Sequence, residues 1–105
     1  DSNTPKTVLI RGIGPALRDI WNVTGVLADP KLEVFRQRDG AKVADNDNWD
    51  AALQPTFDLL GAYRFTRGSR DAALLVTLLP DVYTAQVSGV GGTTGDGVVE
   101  VYEVP

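Results

Sequence analysis

The last third of the chain, residues 71–104, has the clearest alternation of apolar and polar positions. Residues 74–79 form an apolar run that ends at a Pro-Asp pair, and residues 83–88 then alternate between apolar and polar side chains. Alternation with a period of two is typical of a strand that buries one face. We expect the glycine-rich residues 89–97 to form a hairpin connection to a final strand at residues 98–104.

The rest of the chain consists of short apolar segments separated by turn residues. Residues 7–13 are apolar except for Arg11, and this pattern predicts a strand. We expect Arg11 to be buried in an ion pair whose acid is Asp71 or Asp29. An Asp-Gly pair between two strand-like segments predicts a hairpin turn. The other predicted elements are a short helical segment after Pro15, strands at residues 32–37 and 41–44 joined at Asp39 and Gly40, a helical segment over residues 53–60 that ends at Gly61, and a short strand at residues 63–65.

These elements amount to about six to eight short strands with one or two short helical segments, and the sequence has no internal repeat. Such a pattern is typical of an all-β fold. We therefore predict a β-sandwich of the jelly-roll or immunoglobulin-like type, with residues 7–105 as a single domain. Residues 1–6 are polar and contain Pro5, and we expect a flexible or strand-exchanging lead-in there.

The composition excludes several kinds of chemistry. The chain has 105 residues, a net charge of -4 and no cysteine, histidine or methionine. Disulfides, thiolate and Ser-His-Asp catalysis, and zinc sites built on Cys or His are therefore excluded. The acidic balance disfavours nucleic-acid binding, and no apolar run approaches the roughly 18 residues that would span a membrane. We expect no catalytic residues, no nucleic-acid partner and no membrane insertion.

Gly12 and Gly14 follow the first predicted strand and precede a helical segment, which is where a dinucleotide-binding fingerprint would stand. The third glycine of that fingerprint is missing, since Leu17 occupies its position, and Pro15 removes an amide donor. We interpret the two glycines as allowing the strand to turn sharply into the helix.

Residues 45–50, DNDNWD, form the candidate ligand cluster of the sequence. Calcium takes about six to eight oxygen ligands, which alternating Asp and Asn side chains and loop carbonyls can supply. The candidate metal ligands are Asp45, Asp47 and Asp50. The loop is not an EF-hand, because Trp49 stands at its fifth position. The alternative is a turn in which the Asp and Asn side chains bond their own backbone and cap the following helix.

Aromatic side chains are a second kind of candidate, because their faces suit the rings of sugars. Trp49 is the candidate ligand-binding residue, since it lies within the acidic loop. The alternative is core packing, which the sequence favours because the aromatic residues do not recur along one strand face. The set consists of Trp21, Trp49, Tyr63, Tyr83 and Tyr102.

Four phrases carry a resemblance to a known family: KTVLIRGIGPAL, TGVLADPKLEVF, ADNDNW and SRDAALLVTLLPDVYTAQVSGVGGTTGDGVVEVYEV. They resemble a repeat module of very large secreted or cell-surface proteins of environmental bacteria, Verrucomicrobia-like and Planctomycetes-like among them. The second half is more distantly similar to bacterial pre-peptidase C-terminal domains. The resemblance implies a jelly-roll-type sandwich outside the cell, mostly non-catalytic, with links in some relatives to calcium, polysaccharide or collagen. It also implies Asp45 and Asp47 as the metal positions.

Members of the repeat family usually carry another strand-rich segment before the KTVLIRG stretch, and this chain begins almost at that point. Without those strands, the sheet would have an open edge near residues 7–13, and an open edge tends to pair with another chain. We therefore expect an inter-subunit strand made of Thr7, Val8, Leu9, Ile10 and Arg11.

Two functional hypotheses follow. The first is a non-catalytic, extracellular structural or adhesive module, which acts as a surface-protein repeat or as a filament subunit and has further copies or neighbouring repeats as partners. The second is a calcium-dependent carbohydrate-binding module of a secreted protein, with Ca2+ as cofactor and a polysaccharide as partner. A hydrolase would need two carboxyl groups facing each other across a cleft, for which the sequence holds no evidence.

Overall fold

The computed structural model describes residues 4–105, and this part of the chain is mostly β. The strands are β1 (Lys6–Ile13), β2 (Pro30–Arg36), β3 (Lys42–Asn46), β4 (Ala72–Leu78), β5 (Tyr83–Gly89) and β6 (Val98–Glu103). The α-helices are α1 (Pro15–Trp21) and α2 (Gln54–Leu60), and short 3-10 turns lie at Ala51–Leu53 and Val90–Gly92. No helix within residues 4–105 is long and apolar enough to cross a membrane.

The strands form two antiparallel sheets of three strands each. The first sheet has the order β4-β1-β6, and the second has the order β3-β2-β5. The expectation of a mostly β chain with two short helices is confirmed. The turn at Asp39 and Gly40 joins β2 to β3 as predicted, with Gly40 at a positive φ of 70°. The predicted stop at Gly61 is also confirmed, because this residue ends α2 in the left-handed conformation.

Two predicted features are wrong. Residues 63–65 form no strand, because no neighbouring strand pairs with them within the described residues. Instead, the Phe65 ring is buried in the core and the Tyr63 carbonyl accepts a hydrogen bond from a side chain of β1. Residues 89–97 form no hairpin, because β5 and β6 belong to different sheets.

The connection over residues 89–97 crosses from the second sheet to the first and is held by the loop between α1 and β2. The Val90 N–H donates to the Asp29 carbonyl at 2.9 Å, and the Leu27 N–H donates to the Asp96 carbonyl at 2.8 Å. Three glycines of this connection have a positive φ, a backbone conformation that residues with a side chain rarely adopt. The glycines therefore serve a crossover between sheets rather than a two-strand turn.

β1 separates two groups of buried side chains. On one face, Leu9 and Ile13 pack with side chains of both helices and of the segment that follows α2. On the other face, Ile10 packs with Leu32 and Val34 of the second sheet. The two sheets therefore pack against each other through the second group, while the helices cover the opposite face of the first sheet.

Close packing explains the two glycines at the end of β1. A Cβ atom at Gly12 would lie 2.5 Å from Cγ2 of Val87, so a side chain there would force the Val87 side chain to shift. A Cβ atom at Gly14 would overlap the carbonyl oxygen of Leu27. These positions need glycine because other parts of the chain approach the backbone closely.

Candidate functional site

The strand expected at an open edge is the central strand of the first sheet. β1 pairs with β4 from Lys6 to Gly12 and with β6 from Val8 to Ile13. The predicted edge at residues 7–13 is therefore wrong, since this segment has partner strands on both sides within its own chain. The residues of the expected inter-subunit strand all lie in this central strand: Thr7, Val8, Leu9, Ile10 and Arg11. Of the predicted lead-in, residues 1–3 lie outside the described residues, and Lys6 already belongs to β1.

Arg11 is fully buried, and acceptors and aromatic rings surround its guanidinium group. Nε and Nη2 donate to Oε1 of Glu100 at 2.9 and 2.7 Å, and Nη1 donates to the Tyr63 carbonyl at 2.6 Å. The guanidinium carbon lies 4.2 Å from the ring centroid of Phe65 and 4.8 Å from that of Phe57. Cation–π contact thus adds to the ion pair in balancing the buried charge.

The predicted buried ion pair is confirmed, but neither predicted acid supplies it. Glu100 does so because the β1–β6 register places it opposite Arg11. The Tyr102 hydroxyl donates to the same Glu100 oxygen at 3.2 Å. Burial, and after it the Glu100 carboxylate, raises the pKa of Tyr102. The predicted acids lie elsewhere: Asp71 binds the start of α1, and Asp29 is 3.6 Å from Arg70.

Asp71 is the second charged side chain that is fully buried in the described part of the chain. Its Oδ1 accepts from the N–H groups of Gly14 at 2.8 Å and Ala16 at 3.1 Å, and its Oδ2 accepts from the Ser69 hydroxyl at 2.7 Å. The residue between the two amides is Pro15, which has no N–H, and the Gly14 cap offers no side-chain acceptor. Asp71 therefore caps α1 from the segment that precedes β4.

The three candidate metal ligands have separate protein partners. Asp45 forms a 2.8 Å ion pair with Lys42, and this hydrogen-bonded partner lowers the pKa of Asp45. Oδ1 of Asp47 accepts from the Asn48 side chain at 2.6 Å. Oδ1 of Asp50 accepts from the amide two residues later at 2.9 Å, which caps the 3-10 turn. Across residues 4–105, no group of three or more Asp, Glu, His or Cys side chains is placed to hold a metal ion.

The acidic loop is shorter than predicted, because Asp45 and Asn46 belong to β3, and the segment 46–50 covers part of one sheet edge. Oδ1 of Asn46 accepts from the Ala73 N–H at 3.1 Å, and the Trp49 N–H donates to the Asp71 carbonyl at 3.0 Å. Backbone groups at the start of β4 that face away from β1 thereby find partners. The loop thus has a structural role at the first sheet.

Trp49, the candidate sugar-binding residue, lies in the core with 9% of its surface exposed. Its ring stacks on Phe57 at a centroid distance of 5.4 Å and meets Phe65 edge-on at 5.5 Å. Its Nε1 donates to the Ser69 hydroxyl at 3.2 Å. Trp49 is therefore a core residue, which is the alternative to sugar binding that the sequence left open.

The exposed aromatic pair of the domain is Trp21 with Tyr63. These side chains are 41% and 61% exposed, respectively, and their rings meet edge to face at 5.0 Å. Trp21 ends α1, and Tyr63 lies in the segment after α2. Sequence reasoning did not pair these two residues, because they are 42 positions apart and only the fold brings them together.

The four edge strands differ in how far they are protected against pairing with another strand. β3 carries Lys42 and Asp45 and has an irregular register with β2. β6 carries Glu100 and Glu103, and the start of β4 is covered by the acidic loop. β5 is seven residues long and has neither a charged residue nor a proline. Charges and bulges commonly prevent edge-to-edge association, and both β4 and β5 lack them. The acidic loop covers the start of β4, whereas β5 is open along its whole length, so β5 is the less protected of these two edges.

An apolar cleft of about 550 Å³ opens at the end of the two sheets, beside the connection from β4 to β5. Leu79, which is 67% exposed, lines this cleft together with Val8 and Tyr83. The Tyr83 hydroxyl donates to the Leu79 carbonyl at 2.6 Å, which fixes one wall. Sequence reasoning missed this cleft because its walls come from β1 and the β4–β5 connection.

Comparison with family models, with curated proteins and with solved structures gives no match for this chain. The resemblance carried by the four sequence phrases therefore stays a prediction.

Proposed function

We propose that this chain is a non-catalytic structural or adhesive module of extracellular or cell-surface proteins, built as a β-sandwich of the jelly-roll or immunoglobulin-like type. It acts as a surface-protein repeat or as a filament subunit and associates with further copies or neighbouring repeats through strand pairing. The observation that carries this proposal is the unprotected edge of β5, which has no partner strand on one side within residues 4–105. Such an edge readily accepts another strand.

The use of the buried charges supports the non-catalytic part of the proposal. Arg11 holds β6 through Glu100, and Asp71 holds the first amides of α1. Perturbed or buried ionisable groups often mark reactive sites, but structural ion-pair networks bury charges as well. Both of these groups make their hydrogen bonds within the fold.

Gel filtration with light scattering over a wide range of protein concentrations, followed by negative-stain electron microscopy, tests the association. We expect the mass to rise above the 11.3 kDa of one chain as concentration increases. A chain that remains at the mass of one copy at the highest soluble concentration would contradict the proposed function.

A second candidate function is calcium-dependent carbohydrate binding, and the exposed Trp21–Tyr63 pair favours the carbohydrate part of it. Exposed aromatic faces offer apolar surface to a sugar ring. Retardation of the chain in polysaccharide-containing native gels, lost in Tyr63→Ala and kept in the exposed control Leu59→Ala, would support this function. Calcium would have to raise the Tm of the parent chain and not that of the Asp45→Ala, Asp47→Ala variant. An unchanged parent Tm would rule out the calcium part.

A further inference from the structure

The pairing of β5 with β2 leaves one whole side of a regular strand open. Seven consecutive residue pairs join the two strands, from Pro30 opposite Gly89 to Arg36 opposite Tyr83, without a shift in register. Side chains along β5 alternate between half-buried and exposed, and the exposed ones are Thr84, Gln86 and Ser88. An uncharged edge of this length provides backbone donors and acceptors for a further strand.

The neighbouring edge of the first sheet supplies apolar surface beside β5. Val99 and Val101 of β6 are 37% and 59% exposed. The register places them next to Gly12 and Ile10 of β1, on the face of the first sheet that packs against the second sheet. Since β6 contacts β5 across the two sheets, a strand added beside β5 would lie beneath these valines and cover them.

Charge indicates which strand fits. The chain has a net charge of -4, so two copies repel each other in most orientations. β6 carries Glu100 and Glu103, whose carboxylates already pair with Arg11 and Lys6, and a second β6 edge would crowd these ion pairs. β5 carries no charge, so two β5 edges meet without that cost.

The strand is also complementary to itself. In an antiparallel pair related by a two-fold axis at Gln86, each β5 residue has a partner, and half-buried residues face half-buried residues. Tyr83 then lies opposite Gly89, Ala85 opposite Val87, and Thr84 opposite Ser88. A shift by one residue would turn the apolar face of one copy outwards, so the hydrophobic pattern excludes odd shifts. Among the remaining registers, the one centred on Gln86 pairs all seven residues of β5.

We propose that β5 pairs with β5 of a second copy of this chain, antiparallel and centred on Gln86, so that two three-stranded sheets join into one sheet of six strands. This inference rests on the proposed function, because it names the edge through which copies associate. The contact is closed and symmetric, so by itself it gives a dimer, and a filament would need a second contact in addition. Exposed valines of the two β6 strands meet above the junction.

Charged residues introduced on β5 test the pairing. One variant carries Thr84→Lys, Gln86→Lys and Ser88→Lys, and its counterpart carries Glu at the same three positions. Each variant alone would place like charges opposite each other, and we expect self-association to weaken by about a hundredfold. An equimolar mixture of the two should recover a dimer that contains one chain of each kind. That recovery shows at once that both variants are folded.

The matched controls place the same charges on the far side of the domain. Ala51, Ala52 and Leu59 are exposed residues in the 3-10 turn and in α2, and changing them to Lys or to Glu alters the net charge equally. We expect self-association close to that of the parent and no preference for mixed dimers. If the control pair behaves like the β5 pair, net charge rather than the β5 edge sets association, and the inference is wrong.

The absence of cysteine from the sequence permits a direct test of the register. Gln86→Cys places one thiol next to the two-fold axis, and a short bifunctional thiol reagent should then link two copies at low reagent concentration. Ala52→Cys should give no dimer under the same conditions. Self-association that occurs without crosslinking at position 86 and without a response to the β5 charges would overturn the β5 assignment while leaving the proposed function intact. A parent chain that stays monomeric would overturn both.

Discussion

Replacing Glu100 by Gln tests the contact that joins β6 to the rest of the first sheet. The substitution keeps the size of the side chain and removes its charge. Arg11 then remains fully buried without a counter-ion, since both Nε and Nη2 donate to Glu100 in the parent chain. Removing one partner of a buried ion pair costs about 3–5 kcal/mol, because the remaining charge has lost the water it would have outside.

The structure indicates the lower part of that range. Arg11 keeps its hydrogen bond to the Tyr63 carbonyl and its contact with the Phe65 ring, whose centroid is 4.2 Å away. Both Arg11 donors bind the same oxygen of Glu100, and the amide oxygen of Gln can accept from both of them, although it carries no full negative charge. We therefore expect Glu100→Gln to lower the free energy of unfolding by about 3 kcal/mol. For a domain of this size, that loss lowers the Tm by more than about 10 °C.

The two partners differ in burial, and this difference provides the control. Glu100 is 29% exposed, so water can solvate it when its partner is removed, whereas Arg11 is not exposed at all. Arg11→Met places an apolar side chain among aromatic rings, and such replacements of buried ionic groups are often tolerated. We expect a smaller loss for Arg11→Met than for Glu100→Gln, measured by urea unfolding. A loss below about 1 kcal/mol for Glu100→Gln, or the reverse order, would refute the reasoning.

Three further predictions concern other contacts. Asp71→Ala should lower the free energy of unfolding by about 2–3 kcal/mol, because two buried amides of α1 lose their acceptor, and Asp71→Asn should lower it less. Gly12→Ala should cost about 1–3 kcal/mol in urea unfolding by crowding Val87, and a second substitution, Val87→Ala, should recover part of the loss. The hydrogen bond from Arg36 lowers the pKa of Asp39 to about 2. The Asp39 carboxylate therefore stabilises the fold at pH values above its ordinary pKa, and this stabilisation is lost as the pH falls through about 2. Arg36→Gln should raise the pKa of Asp39, measured by NMR titration of its carboxyl group.

Local signals in the sequence predicted the elements better than their arrangement. Alternating polarity found β5, and the Asp39-Gly40 turn joined β2 to β3, because both depend on neighbours along the chain. The hairpin predicted at the glycine-rich residues 89–97 was wrong, because glycines with positive φ permit a crossover between sheets as well as a hairpin. Which sheet a strand joins depends on contacts far apart in sequence, and the pattern of one strand does not contain them.

The same limit applies to the site residues. An arginine in an apolar strand indicated a buried ion pair, because a buried charge needs a partner. Its partner could not be chosen among 14 acidic residues, since Glu100 faces Arg11 only through the β1–β6 register. Trp49 lies in an acidic loop along the chain, but its ring turns inwards onto Phe57. The acidic neighbours of Trp49 in the sequence therefore indicated a ligand-binding residue at the surface, whereas the fold places Trp49 in the core.

The central position of β1 separates two ways in which copies of this chain could associate. An exchange of residues 7–11 between copies would have to break the pairing of β1 with both β4 and β6 before it could form again. Such a domain swap would keep every native contact, but its rate would be limited by unfolding of the first sheet. Pairing through β5 breaks no existing strand pair. Labelled and unlabelled copies should therefore mix rapidly under native conditions if β5 is the interface, and only as fast as the domain unfolds if β1 is exchanged.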